Sequence, residues 1–221
     1  MRTERNITKQ IHYIMYQLKG LHFLFFVPFV LIYVVIPLIC VPKYFSVGIG
    51  EELYRTILEF TQMLIPVMSV WWLIFVFREY IESEGNEILF LYSKRIKLSD
   101  ATILFFFYVV TILPFYILSC FLFQNFIFEL IKMVMICVFY FGLSYLLIFL
   151  SSSTAITWMT IFLYTVANSV FYKDQAIFPL YYSLDAVSIY SCLEFYLPLM
   201  LLGLLFLFLG VYVNKRWRNY T

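Results

Sequence analysis

The sequence predicts an all-α membrane protein: one domain, residues 1–221, with six membrane-crossing helices, an interfacial helix ahead of them and a short helix between the second and third. Three observations carry this. First, the chain is 64% hydrophobic and only 13% charged, with 22% aromatic residues and a mean hydropathy of +0.91. Soluble domains carry about a quarter charged residues. Second, six apolar runs are long enough to cross a hydrocarbon slab of ~30 Å as helices. They cover roughly 21–41, 53–77, 101–123, 127–150, 154–171 and 195–213. Third, Lys and Arg divide eleven to four between the two sides that these runs define. The positive-inside rule places the eleven, and with them both termini, in the cytoplasm.

Residues 5–19 are amphipathic rather than spanning. Ile7, Ile11, Ile14, Met15 and Leu18 recur at helical spacing, with Lys9, Gln10, Gln17 and Lys19 opposite. Such a helix lies in the interface plane, and Gly20 closes it. The first run sits behind this polar segment without a small-residue cleavage site, unlike a signal peptide. Spans one and six have almost no polar side chains in their middles, as expected of lipid-facing helices. Pro28, Pro37 and Pro198 read as tolerated kinks. Gly203 and Gly210 are seven apart, so no GxxxG close-packing motif is expected.

Spans two and five differ. Arg55, Glu59, Gln62, Pro66 and Ser69 follow one face of span two, and Arg55 and Glu59 are spaced to pair at i,i+4. Thr154, Thr157, Thr165 and Asn168 follow one face of span five. Polar groups are costly against lipid, so these stripes should face protein or a water-filled path. The alternative for the hydroxyls is bonding to their own helix backbone and holding helices together. Glu129 and Lys132, at i,i+3, read as an ion pair at the outer rim. Between spans five and six, residues 172–194 form an outer loop whose Tyr181, Tyr182 and Tyr190, with Tyr196 just after it, suit the headgroup level. The four cysteines, Cys40, Cys120, Cys137 and Cys192, show no paired spacing and read as apolar filler.

Some chemistries are missing. No glycine run precedes Lys-Ser or Lys-Thr, so there is no P-loop, and there is no GxSxG elbow. The two histidines, His12 and His22, make a poor metal site. Glu51, Glu52 and Arg55 resemble the Glu-Glu…Arg signature of prenyl-protein-processing proteases. No histidine follows residue 22 to complete such a site, and the spacing is one residue short. The chain is not expected to be an enzyme, and no metal or nucleic-acid partner is expected.

Residues 78–100 hold nine charges in 23 positions between two apolar runs. Glu79, Glu82 and Glu84 suit a helix N-terminus; Ile81, Ile88, Leu89 and Tyr92 give an apolar side; Lys94, Arg95 and Lys97 meet the headgroups. The expectation is a cytoplasmic amphipathic helix over 79–92, a docking element or else a loop that only sets topology. The passage with Glu82, Glu84, Gly85, Glu87, Ile88 and Leu89 resembles the segment after the second span in type 2 permeases of ATP-binding-cassette exporters. Asn86 stands where that family often has a hydroxyl residue, and its Ser-Pro turn is replaced by Ser93-Lys94. The layout of interfacial helix, six spans and long loop before span six resembles the same family.

The resemblance implies that 79–92 is a coupling helix seated in a separate cytoplasmic ATPase, with Glu82, Glu84, Gly85, Glu87, Ile88 and Leu89 as its contacts. ATP and Mg would belong to that partner. It implies a second permease chain, identical or homologous, and a path lined by spans two and five through Glu59, Gln62, Ser69, Thr157, Thr165 and Asn168. It also implies a bacterial cell membrane and an amphipathic cargo, with a toxin or antimicrobial peptide preferred over drugs or lipids. A scaffold or sensor without transport is the alternative.

Overall fold

The computed structural model describes residues 12, 14–82, 98–123, 126–170, 181, 183 and 188–217. Every regular element among them is helical. Residues 14–20 form α1. A break at His22, with φ of 47°, then turns the chain into Phe23–Val47, α2. Next come Glu51–Glu82 (α3), Leu98–Leu122 (α4), Phe126–Ser151 (α5) and Thr154–Val170 (α6). The turn Ile189–Ser191 and a π-turn, Cys192–Tyr196, lead into Leu197–Trp217, α7.

Five of these helices are long and apolar enough to cross a membrane: Phe23–Val47, Glu51–Glu82, Leu98–Leu122, Phe126–Ser151 and Cys192–Asn214. The run expected as a span at 154–171 forms a helix of 17 residues. At 1.5 Å per residue it is about 25 Å long, short of a ~30 Å slab. The second apolar run is longer than expected, and its last turn takes in Glu79–Glu82. The remainder of the expected 79–92 helix lies outside the described residues.

Helix α5 is the hub. Beyond Glu129 and Lys132 it is apolar on nearly every face, a pattern that favours a central position, and it packs against α3, α4, α6 and α7. Within their most apolar stretches, α3 and α5 are 72% and 61% buried, against 17% for α2 and 22% for the stretch containing α7. The first and last apolar helices are therefore the peripheral ones, as their featureless sequences suggest.

Proline placement explains several inter-helix contacts. Pro28 has no N–H, so the Leu24 carbonyl four residues back loses its partner. The Trp71 indole donates to it at 2.8 Å, and Trp72 donates to the adjacent Phe25 carbonyl at 3.2 Å. Near Pro114, the Tyr33 hydroxyl donates to the Thr111 carbonyl. The two π-segments, Leu31–Val35 and Cys192–Tyr196, each end two residues before a proline, Pro37 and Pro198. An extra residue in the turn shifts the hydrogen-bond register where proline would interrupt it.

Three expectations need correction. The α5–α7 contact is a backbone approach through glycine, although no GxxxG motif is present. A Cβ on Gly142 would sit 1.9 Å from the Gly203 carbonyl oxygen, and one on Gly203 would sit 2.5 Å from the Phe139 Cα. Seven residues are two helical turns, so Gly203 and Gly210 share one face. Arg55 pairs with Glu51 at 2.8 Å, not with Glu59; both partners stand at the exposed start of α3. Glu129 and Lys132 do pair, at 3.3 Å, but their side chains are 1% and 0% exposed rather than at an open rim.

Candidate functional site

The polar stripes of α3 and α6 face each other across the bundle, and Tyr181 and Ser183, from the chain connecting α6 to α7, lie between them. The arrangement begins with Pro66. Its missing N–H frees the Gln62 carbonyl, which accepts the Tyr181 hydroxyl at 3.1 Å. The Gln62 side chain grips the same connection: Nε2 donates to the Ser183 carbonyl at 2.7 Å, and Oε1 accepts the Ser183 N–H at 2.9 Å. This two-point pairing copies a strand contact with a side-chain amide.

From the other wall, Asn168 Oδ1 accepts the Tyr181 N–H at 3.0 Å while its Nδ2 donates to the Tyr164 carbonyl of its own helix at 2.9 Å. The Tyr196 hydroxyl donates to the Tyr181 carbonyl at 3.2 Å. Non-helical backbone inside a bundle must have its polar groups satisfied by neighbours. Gln62, Asn168 and Tyr196 do so for both peptide groups of Tyr181 and for the N–H and carbonyl of Ser183. Burial pushes the Tyr181 phenol well above its ordinary pKa, so it keeps the proton that it donates.

The hydroxyl chain behind Tyr181 is one hydrogen short. Thr165 donates to the Ile161 carbonyl at 2.9 Å, Tyr140 lies 2.8 Å from Thr165 Oγ1 and 2.9 Å from the Tyr181 oxygen, and Tyr181 reaches the Gln62 carbonyl. These are four contacts served by three hydroxyl hydrogens. With Thr165 committed to its helix and Tyr140 to Thr165, the Tyr181 hydrogen is shared between Tyr140 and Gln62. The cluster is well packed, but its hydrogen bonding is not saturated.

A buried ion pair backs the knot. The Tyr54 hydroxyl donates to Glu129 Oε1 at 3.1 Å, and Lys132 Nζ stands 5.3 Å from the centroid of the Tyr196 ring. Tyr181 and Tyr196 are thus interior residues, 3% and 6% exposed, rather than headgroup anchors; Tyr190, at 84%, keeps the exposed position expected of it. Tyr182 lies outside the described residues.

The expected path residues therefore divide. Gln62, Thr165 and Asn168 come together around Tyr181. Ser69 and Thr157 are buried but bond their own helices, Ser69 to the Pro66 carbonyl at 2.6 Å and Thr157 to the Ser153 carbonyl at 3.0 Å. Glu59 is exposed on the outward face of α3. Tyr140, Tyr181, Tyr196, Glu129 and Lys132 were not expected in the site. The usable signal was Pro66: four residues after Gln62, it leaves a carbonyl that some other element has to satisfy.

At the opposite end of α6, Glu82 performs a different task. Its Oε1 accepts the Thr154 N–H at 2.9 Å and the Thr154 hydroxyl at 2.7 Å, capping α6 from another helix. Its Oε2 lies 3.2 Å from Arg78 Nε. Of the residues expected to dock an ATPase, Glu82 alone is described; Glu84, Gly85, Glu87, Ile88 and Leu89 lie outside the described residues. No group of three metal-ligating side chains gathers among the described residues. Compared with protein-family models, curated proteins and solved structures, the chain matches none.

Proposed function

We propose that the chain is the membrane permease subunit of an ATP-driven exporter, paired with a second permease chain and powered by a separate cytoplasmic ATPase. In this reading six helices cross a bacterial cell membrane, both termini are cytoplasmic, and the cargo is amphipathic, with peptides preferred. The observation that carries it is α6. Glu82, at the root of the charged 83–97 segment, holds one end of that helix; near its other end Asn168 holds Tyr181 directly, and Thr165 reaches it through the Tyr140 hydroxyl. A push delivered to the charged segment by a nucleotide-driven partner thus has a direct route to the outer closure. Such rocking is one of the established modes of switching.

The exposed Glu59 supports the second chain. A carboxylate on the outward face of a membrane helix is costly against lipid, and a facing permease with water between the two removes that cost. The test is capture of a candidate ATPase by tagged, membrane-extracted permease, followed by cargo-stimulated ATP hydrolysis. Leu89→Asp should abolish capture while leaving insertion intact. Full capture and normal transport by that variant would reduce 83–97 to a topology loop. Absence of ATP-dependent transport by the captured complex would favour a scaffold or sensor.

A further inference from the structure

A cavity of about 720 Å³ opens between α1, the start of α2 and the first turns of α4. Its walls are aliphatic and aromatic, and Lys19 and His22 are the two polar residues among those that line it. We infer that this cavity binds one anionic phospholipid, its acyl chain against Ile103 and Phe107 and its phosphate beside Lys19 and His22.

The size fits, since ligand cavities run from about 300 to 1,000 Å³ and are mostly apolar with a few placed polar groups. The depth fits as well. Ile103 and Phe107 lie five and nine residues into α4, about 7–14 Å along the axis from a helix start that the proposed topology sets at the interface. The mouth fits: Met15, Phe23 and Phe26 at its edge are 54%, 77% and 56% exposed, so the cavity opens toward the side where acyl chains would lie. Ile14 and Leu18, at 2% and 6%, tie α1 down and make the floor.

Charge selects the headgroup. Among the described residues Lys19 has no carboxylate partner, whereas Arg78, across His22 from the cavity, is engaged by Glu82 at 3.2 Å. Lys19 is therefore the cation available to a phosphate, and the His22 imidazole adds a hydrogen-bonding nitrogen. The left-handed backbone of His22 turns the chain between α1 and α2 and sets both side chains at the rim of one opening. A zwitterionic lipid would bring its own ammonium to Lys19; an anionic one does not.

The full chain, reconstituted in nanodiscs of equal phosphatidylglycerol and phosphatidylcholine and released into mild detergent, should retain about one phosphatidylglycerol in native mass spectra. Lys19→Gln should lower the preference for phosphatidylglycerol over phosphatidylcholine about fivefold, the typical effect of one interfacial cation. Ile103→Trp, which fills the cavity, should lose both lipids while circular dichroism shows unchanged helix content. If Ile103→Trp fails to fold, Lys19→Gln decides alone. Equal retention of both lipids by the unaltered chain, no retained lipid, an unchanged preference in Lys19→Gln, or full retention by a folded Ile103→Trp would each overturn the inference.

Discussion

Replacing Gln62 by Met separates the hydrogen bonds of the knot from its packing. Met has a similar length and volume, so it keeps the filled space, but it can neither donate to the Ser183 carbonyl nor accept its N–H. Both bonds are short, 2.7 and 2.9 Å, in a residue that is 0% exposed. Each net bond contributes about 1 kcal/mol, and each buried partner left unsatisfied costs about 1–3 kcal/mol. The two together put the local cost at about 2–4 kcal/mol, because the connection can relax toward water and recover part of the loss. The readout is amide hydrogen exchange of the peptide covering Tyr181 and Ser183. A cost of that size raises exchange by about 30-fold to 1,000-fold, at tenfold for each 1.4 kcal/mol. The bulk of the helices should exchange as before, since the perturbation is local. Identical Ser183 exchange in both proteins would show that the side-chain amide does not hold the connection, and the proposed closure would fall with it.

Lys132→Met should lower stability by about 3–5 kcal/mol in detergent thermal unfolding, because Glu129 stays buried without its cation; adding Glu129→Gln should restore most of the loss, and a double variant no better than the single one would refute the pairing. Gly142→Ala should be severely destabilising, since its methyl would overlap the Gly203 carbonyl oxygen at 1.9 Å, whereas Gly20→Ala, with nothing within 4 Å, should leave the melting temperature unchanged. Glu82→Ala should cost about 1 kcal/mol through loss of the α6 cap, while Glu82→Gln, which keeps an acceptor for Thr154, should cost less; equal losses in unfolding assays would assign the effect to the Arg78 pair instead.

The order of the helices, and five of them as long and apolar enough to cross a membrane, were legible because apolar runs of about 20 residues leave few other options; the 17-residue length of α6 and the extension of α3 to Glu82 were not. The peripheral place of α2 and α7 followed from their lack of polar residues. Helix packing was less legible: Gly203 meets α5 at Gly142 and Phe139, and Gly210 meets it at Tyr145 and Leu146, on a helix more than 50 residues away, and no spacing within α7 reveals those partners. The ion pair at Glu129 and Lys132 was legible as a pair but not as a buried one, because its cover comes from Tyr54 and Tyr196 on distant elements. Of the two expectations for the polar stripes, protein or a water-filled path, the burial of Gln62, Thr165 and Asn168 fits the first. What fills the space between them was not legible, since a connection of mixed polarity gives no periodic signal. Its anchoring depends on a proline-freed carbonyl and a side-chain amide from another helix. Glu59 shares the stripe spacing but lies on the outward side, because a stripe wide enough to include Arg55 and Glu59 extends beyond what α6 covers.

Helix α3 is the element on which these contacts converge, and its sequence contains its own joint. Glu51–Ser69 and Trp71–Glu82 are separated at Val70, whose ψ of −4° departs from the helical value. The carbonyls around that joint are bound by side chains rather than left to the helix: Tyr108 donates to Ile65 at 2.6 Å and Ser69 to Pro66. On one side of the joint Gln62 holds the connection at Ser183; on the other, Glu82 holds α6 at Thr154. Helix α6 then returns to the connection through Asn168, and through Thr165 by way of Tyr140. The circuit is closed, so tilting one half of α3 against the other cannot leave all its contacts intact. The cap is a charge-assisted pair of bonds to an ionised carboxylate, whereas the knot around Tyr181 is short of one hydrogen. Tyr181 and Ser183 are nonetheless held by five hydrogen bonds, with Gln62, Asn168 and Tyr196, against two at the cap, so α6 and the connection are tied to α3 on both sides of its joint.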